Sequence, residues 1–293
     1  MLVIFTAFLS LGAFAQQQDF SKVEMKVRKI TDHVYMLSGA GGNIGVSVGD
    51  DGIVIVDDEF APLAPKIKEA LKAITNKPVK FVINTHYHGD HTGGNEIFGR
   101  DGTIIAHDNS RKRMESGTKV GGNTIPPAAK GALPVVTFND RASLFVNGEE
   151  IRLVHLPHGH TDGDTMVVFT KSNVVHLGDD YFLGSFPFVD LDNGGSLKGI
   201  IANLEKIYPT LDQDVRIIPG HGGLGDKPAL NEFINMLKGT VAIMNEAIQR
   251  GETLDDVLKN RTLVAWSNWA TTPFMTLERY EEQLYKELKG TPK

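Results

Sequence analysis

The chain has 293 residues, 41% of them hydrophobic, enough for one full core, so one domain or one internally duplicated domain is expected. Its formal net charge of -6, with no basic run longer than Arg111-Lys112-Arg113, argues against a nucleic-acid or anionic-membrane surface and for a small-molecule partner, and leaves the oligomeric state open. The absence of cysteine rules out disulfides, thiolate metal ligands and lipoprotein anchoring together.

At the N-terminus an apolar stretch, Leu2 to Phe14, ends in Ala13-Phe14-Ala15 before the polar Gln16-Gln17-Gln18-Asp19. It reads as a secretory signal over residues 1–15 with an A-x-A-like cleavage site, although no Lys or Arg precedes it. As a helix it would span only about 20 Å, short of a hydrocarbon core of roughly 30 Å, so no stable membrane anchor is expected. The expectation is a periplasmic or secreted mature chain, 16–293, forming one domain. A buried N-terminal element is the alternative.

Three β-branched runs follow, Val34 to Leu37, Ile44 to Gly49 and Ile53 to Val56, split by Gly-rich and Asp-Asp-Gly turns. They predict an antiparallel meander. Gly45-Val46-Ser47-Val48-Gly49 fits a G-x-S-x-G pattern, but it leads into another strand rather than a helix, so Ser47 is an ordinary strand residue. Leu63, Ile67, Ala70, Leu71 and Ile74 lie at helical spacing within Pro62 to Ile74. That helix crosses to the apolar run Val79 to Ile83, directly before Thr85-His86-Tyr87-His88-Gly89-Asp90-His91-Thr92. In an extended segment His86 and His88 share a face, and the Gly89 turn can bring Asp90 and His91 beside them. Neutral imidazoles and a carboxylate packed this closely form a zinc ligand set.

Asn95 to Phe98 and Asn109 to Glu115 read as helices flanking a buried strand, Thr103 to Ala106. Gly117 to Pro134, rich in Gly, Pro, Ala and Thr, reads as a mobile loop, either a linker or an active-site flap. Strands return at Ala142 to Val146, Ile151 to Leu156, Met166 to Phe169 and Val174 to Leu177, repeating the first meander. Gly195 to Ile207 is helical and Val215 to Ile218 is a short strand running into Pro219-Gly220-His221-Gly222. Asn231 to Arg250, Leu254 to Lys259 and Leu277 to Leu288 are expected to be helices, the last docked by Phe274, Leu277, Tyr280 and Leu284.

Potential ligands thus recur at four strand ends: H-x-H-x-D-H at His86 to His91, Gly159-His160-Thr161, Gly178-Asp179 and Gly220-His221-Gly222. Their type, order and setting over Val23 to about Asn235 resemble the metallo-β-lactamase superfamily. The resemblance implies an α/β fold, a four-layered αβ/βα sandwich of two mixed sheets with outer helices. It also implies that His86, His88 and His160 hold one Zn²⁺, that Asp90, His91 and His221 hold a second, and that Asp179 bridges them. Nitrogen and oxygen ligands suit zinc, and His88 stands where diiron relatives tend to carry Glu; iron or manganese is the alternative.

Asp57 matches an early family aspartate expected to orient a ligand, with a plain turn residue as its other reading. His160 is favoured over His158 on the G-H-T match, while His33, His107, His155 and His176 are expected to be structural. Asp90 is a candidate proton relay, and Tyr181 either an oxyanion donor or a core residue. Phe186 to Asp190 is expected to form a substrate wall, and Gly194-Gly195-Ser196 a helix N-terminal anion site or a simple cap.

The implied activity is hydrolysis of an ester, thioester, lactone or amide carbonyl by a water activated between two zinc ions. β-Lactam hydrolysis is the alternative: export favours it, whereas Asp179 stands where lactam-hydrolysing relatives usually carry Cys or Ser. A third reading, of another class, is a non-catalytic periplasmic zinc-binding protein.

Overall fold

The computed structural model describes residues 19–290; the expected signal segment, 1–15, lies outside them. Strands β1 (Lys26–Lys29), β2 (Val34–Ser38), β3 (Ile44–Gly49) and β4 (Gly52–Val56) form an antiparallel meander. Helix α1 (Ala64–Ile74) then crosses to β5 (Val79–Ile83), parallel to β4. The short helices α2 (Gly89–Thr92) and α3 (Asn95–Phe98) lead to β6 (Thr103–His107), and α4 (Asp108–Ser116) follows it. A hairpin of β7 (Thr118–Val120) and β8 (Asn123–Ile125) precedes β9 (Val136–Phe138), which closes a seven-stranded mixed sheet.

The second half repeats the scheme. Strands β10 (Arg141–Val146), β11 (Glu149–Leu156), β12 (Asp164–Phe169) and β13 (Val174–His176) run antiparallel. Helix α5 (Leu197–Ile207) then crosses to β14 (Arg216–Ile218), parallel to β13, with β15 (Gly225–Asp226) at the edge. Three helices follow: α6 (Lys227–Gln249), α7 (Leu254–Asn260) and α8 (Leu277–Lys289). Among the described residues no helix is long and apolar enough to cross a membrane.

Strand alternation explains the layers. In β4 every side chain is buried, Val54 and Val56 between the sheets and Ile53 and Ile55 beneath α1. Between the sheets, Val34, Met36 and Ile83 meet Ile151, Val167 and Phe169 in one cluster. The outer face of the second sheet packs Val175 and Ile217 against Leu204, Phe233, Leu237 and Tyr280 of the helices. The expected αβ/βα sandwich is therefore the fold. Asn147 and Gly148, with φ of 55° and 76°, make the two-residue turn between β10 and β11. The Asn147 amide also donates to the Gly52 carbonyl at 3.1 Å and to Ser47 Oγ at 3.2 Å, tying the two meanders together and leaving Ser47 an ordinary strand residue.

The structure corrects three expectations. The 117–134 segment, expected to be a mobile loop, contains the β7–β8 hairpin, whose Lys119 carbonyl accepts a 2.5 Å bond from Asn193 Nδ2. Phe274 is 59% exposed and does not help dock α8, which packs through Leu277, Tyr280 and Leu284. The start of α5 is capped by Ser196, which accepts from Gly199 N at 3.1 Å, and its free N–H groups at Leu197 and Lys198 are taken by the Glu287 carboxylate of α8. An internal anion already fills the place where an external one was expected.

Candidate metal centre

The ends of β4, β5, β11, β13 and β14 meet at one edge of the sandwich, and each delivers a polar side chain there. Three groupings of ligand atoms lie within 4.8 Å of one another: His86, His88 and His160; His86, His91 and Asp179; and Asp90, His91 and His221. All seven residues singled out in the sequence as ligands are thus brought together. Asp179 lies between the first and third groups, with Oδ1 3.1 Å from His91 Nε2 and Oδ2 3.5 Å from both His160 Nε2 and His221 Nε2. Asp90 Oδ2 is 3.2 Å from His221 Nε2 and 3.7 Å from His91 Nε2.

The outer nitrogens fix which atom of each ring faces inward. Thr85 Oγ1 donates to Asp57 Oδ2 at 2.7 Å and can therefore accept from His86 Nδ1 at 3.1 Å, leaving His86 Nε2 free. His91 donates from Nδ1 to Asp57 Oδ2 at 2.7 Å, and His160 donates from Nδ1 to the Phe188 carbonyl at 2.8 Å. His88 is reversed: its Nε2 donates to Asp190 Oδ2 at 2.9 Å, so Nδ1 faces His160. The His221 ring stacks on Phe182, with centroids 5.2 Å apart. Asp57 is the orienting residue of the two readings offered. It sits in left-handed backbone, φ 65°, and also accepts from Thr85 N at 2.7 Å.

The donor set suits divalent cations. His86 Nε2 is buried with no hydrogen-bond partner although it points into the cluster. Burial pushes His86 well below the ordinary histidine range and His160 to about 4, leaving neutral rings with free lone pairs. Burial acts downward on His221 as well, yet Asp179 and Asp90 overcome it and raise the ring to about 9. His91 is raised well above its ordinary value by Asp179, Asp90 and Asp57 against the same burial effect. The buried carboxylates therefore call for positive charge among them, and zinc bound by nitrogen and oxygen is chemically matched to that demand.

A cavity of ≈ 610 Å³ opens beside this cluster, and Asp90, Asp179, His88 and His221 reach its surface. Phe186 and Phe188 line it, as expected for a substrate wall, and so do Val120 and Ile125 of the hairpin, which favours the flap reading. Tyr181 does not. Its side chain is fully buried, its ring packs 5.3 Å from Phe233, and its hydroxyl is buried without a partner, so it is a core residue rather than an oxyanion donor. Tyr181→Phe is expected to leave turnover within about twofold of wild type and to hold or slightly raise the melting temperature, because a buried unpaired hydroxyl is removed. A large loss of kcat in steady-state assays would contradict this placement.

Of the other histidines, His107, His155 and His176 are structural as expected, whereas His33 is not. His107 and His155 stack at 3.7 Å, His176 Nε2 donates to the Asn43 carbonyl at 3.1 Å, His158 is exposed beside Gly194, and His33 is on the surface.

Asp190 was missed as a ligand-orienting residue. It lies far from the histidine motifs in sequence, and its neighbours Phe186 and Phe188 suggested only a wall. It accepts from His88 and from the Tyr87 hydroxyl, and Asn193 Nδ2 donates to both of its oxygens at 2.8 Å. Asp190→Ala is expected to weaken metal binding at the three-histidine position by about 10- to 100-fold. Competition with a chromogenic chelator measures this, and an unchanged affinity would show that His88 is held by other groups.

Residues 39–221 match the family model for the metallo-beta-lactamase superfamily. The chain is similar to the 2,4-dinitroanisole O-demethylase subunit alpha of Nocardioides sp., at 25% identity over 80% of this chain. It spans 65% of that relative's length. It is similar at 24% identity to the metallo-beta-lactamase type 2 of Elizabethkingia meningoseptica, over 80% of this chain and 92% of that one. Among solved structures, a metallo-beta-lactamase from Pontibacter korlensis superposes with a TM-score of 0.59 at 19% identity, covering 73% of this chain and 99% of the other, a likeness of fold.

Proposed function

The chain belongs to the metallo-beta-lactamase superfamily, and we propose that it is an exported dinuclear zinc hydrolase acting on a carbonyl of an ester, thioester, lactone or amide. The observation that carries this reading is the position of Asp179 between the His86–His88–His160 and Asp90–His91–His221 groups, beside an open cavity. Two zinc ions held there would supply a water of near-neutral pKa and polarise the substrate oxygen.

The chain's own residues do the rest. Asp57, Thr85, Asp190 and the Phe188 carbonyl hold four imidazoles in fixed tautomers, so little reorganisation is needed on binding. Asp90, a carboxylate at the cavity surface, would accept the proton that water loses on adding to the carbonyl carbon. It can return that proton to the leaving oxygen, sulfur or nitrogen as the acyl bond breaks. Phe182 and Phe188 exclude bulk water from one side of the cluster.

β-Lactam hydrolysis is the second reading, favoured by similarity to the Elizabethkingia enzyme. The relative from Nocardioides, named for demethylating an aryl methyl ether, marks a further departure from lactam chemistry within the same range of identity. A panel of lactams, lactones, thioesters and phosphodiesters, assayed on zinc-loaded protein, separates these readings. Turnover of lactones or esters well above lactams is expected, and efficient lactam turnover with Asp179 in place would reverse the preference. A protein that binds zinc tightly and turns over nothing in the panel would be the non-catalytic zinc binder. Export is tested by N-terminal sequencing of the mature protein, expected to start near Gln16.

A further inference from the structure

The cavity wall carries information about the substrate that the ligand motifs do not. Beyond the metal-site groups its surface is mostly apolar and includes Phe60, Phe182, Phe188, Phe274, Val120 and Ile125. Among the described residues no lysine or arginine lines it; its ionisable lining groups are Tyr87, His88, Asp90, Asp179 and His221. The volume, ≈ 610 Å³, falls in the range of small-molecule sites.

Two of these apolar side chains are left in water. Phe274 is 59% exposed and Ile125 43% exposed, on separate segments, the stretch before α8 and the β7–β8 hairpin. Phe274 is held edge-on to Phe188 with ring centroids 5.7 Å apart, and Phe188 in turn offers its carbonyl to His160. Solvated aromatic and branched side chains converging on one cavity gain by covering an apolar ligand.

We infer that this cavity binds an uncharged apolar arm, aryl or alkyl, so that the substrate is a neutral ester, lactone or amide seated against Phe188, Phe274 and Ile125. The inference rests on the carbonyl-hydrolase reading for the reacting group, and on the wall alone for the arm. A carboxylate or phosphate at the far end of a substrate would lose part of its hydration against phenyl rings with no lining cation to pair with, a penalty that an alkyl or aryl end does not meet. Acidic thioesters, hemiesters and substrates recognised through a remote carboxylate are therefore disfavoured. Phe274 and Ile125 set specificity through binding.

The test uses the zinc-loaded full chain and two phenyl esters of equal acyl length, phenyl hexanoate and the phenyl monoester of adipic acid, which carries a terminal carboxylate. The neutral ester is expected to have kcat/KM higher by at least about 100-fold, mostly through KM, from the unpaired charge of its competitor. In parallel, the neutral fluorophore N-phenyl-1-naphthylamine is expected to bind and to be displaced by phenyl hexanoate. Phe274→Ala and Ile125→Asn, both at exposed positions, are expected to weaken its binding about tenfold each. Equal turnover of the two esters would overturn the inference, as would fluorophore binding unchanged in both variants. Should neither ester be hydrolysed while the fluorophore binds, is displaced and is weakened by the variants, the pocket assignment stands and the carbonyl-hydrolase reading alone fails.

Discussion

Asp179→Ala is expected to lower kcat/KM on any substrate of this protein by at least about a thousandfold and to leave the chain with one zinc or none, because in the proposed dinuclear centre both metal positions would draw on the same carboxylate. Asp179 is buried, and its two oxygens approach His91, His160 and His221. No other carboxylate among the described residues occupies the space between the two clusters: Asp90 reaches His91 and His221, while Asp57 and Asp190 are engaged with outer nitrogens. Metal analysis by mass spectrometry, together with steady-state kinetics on the preferred substrate, measures both effects. Turnover within tenfold of wild type, with two zinc ions retained, would mean that Asp179 is not shared.

The second large effect is expected at Asp57. One carboxylate accepts from His91 Nδ1, Thr85 N and Thr85 Oγ1, each at 2.7 Å, and it is fully buried. Removing it in Asp57→Ala would strand three buried donors and force Ala into left-handed backbone, at a cost of about 3 kcal/mol or more in stability. Asp57→Asn keeps the size and tolerates the backbone, but its amide NH₂ cannot accept from His91. The Asn variant is therefore expected to fold and to bind metal at the Asp90–His91–His221 position about 10- to 100-fold more weakly. Urea unfolding of the Ala variant and chelator competition on the Asn variant check the two halves separately. Wild-type metal affinity in Asp57→Asn would assign the orientation of His91 to packing.

Much of this was legible in the sequence because the informative residues sit where local pattern is strongest. Ile53 to Val56 is apolar on both faces since both faces are covered, and the β-branched runs Ile44 to Gly49 and Val79 to Ile83, the latter interrupted by the exposed Lys80, also form strands. Histidines and aspartates recur at the ends of β5, β11, β13 and β14, and the resemblance to the superfamily implied His86, His88, Asp90, His91, His160, Asp179 and His221 as ligands before the fold was known. What was not legible depends on contacts distant in sequence. Strand β1 is exposed at every position and shows no alternation, so nothing in Lys26–Lys29 marks it as an edge strand. Short strands β7, β8 and β9 lie among Gly and Pro and are defined by pairing rather than by composition. Asp190 orients His88 across 102 positions, and Phe274 shares helical spacing with residues that are buried while itself facing the cavity. Tyr181 follows Asp179 closely, but the backbone turns its ring into the helix layer instead of the site.

The central claim is that two metal positions share one carboxylate. Zinc stoichiometry by mass spectrometry on wild type and His221→Ala tests it most directly. Two zinc ions per chain are expected in the wild type, and one, retained by His86, His88 and His160, in the variant. A wild-type protein that saturates with a single zinc ion, or a His221→Ala variant that still holds two, would contradict the account.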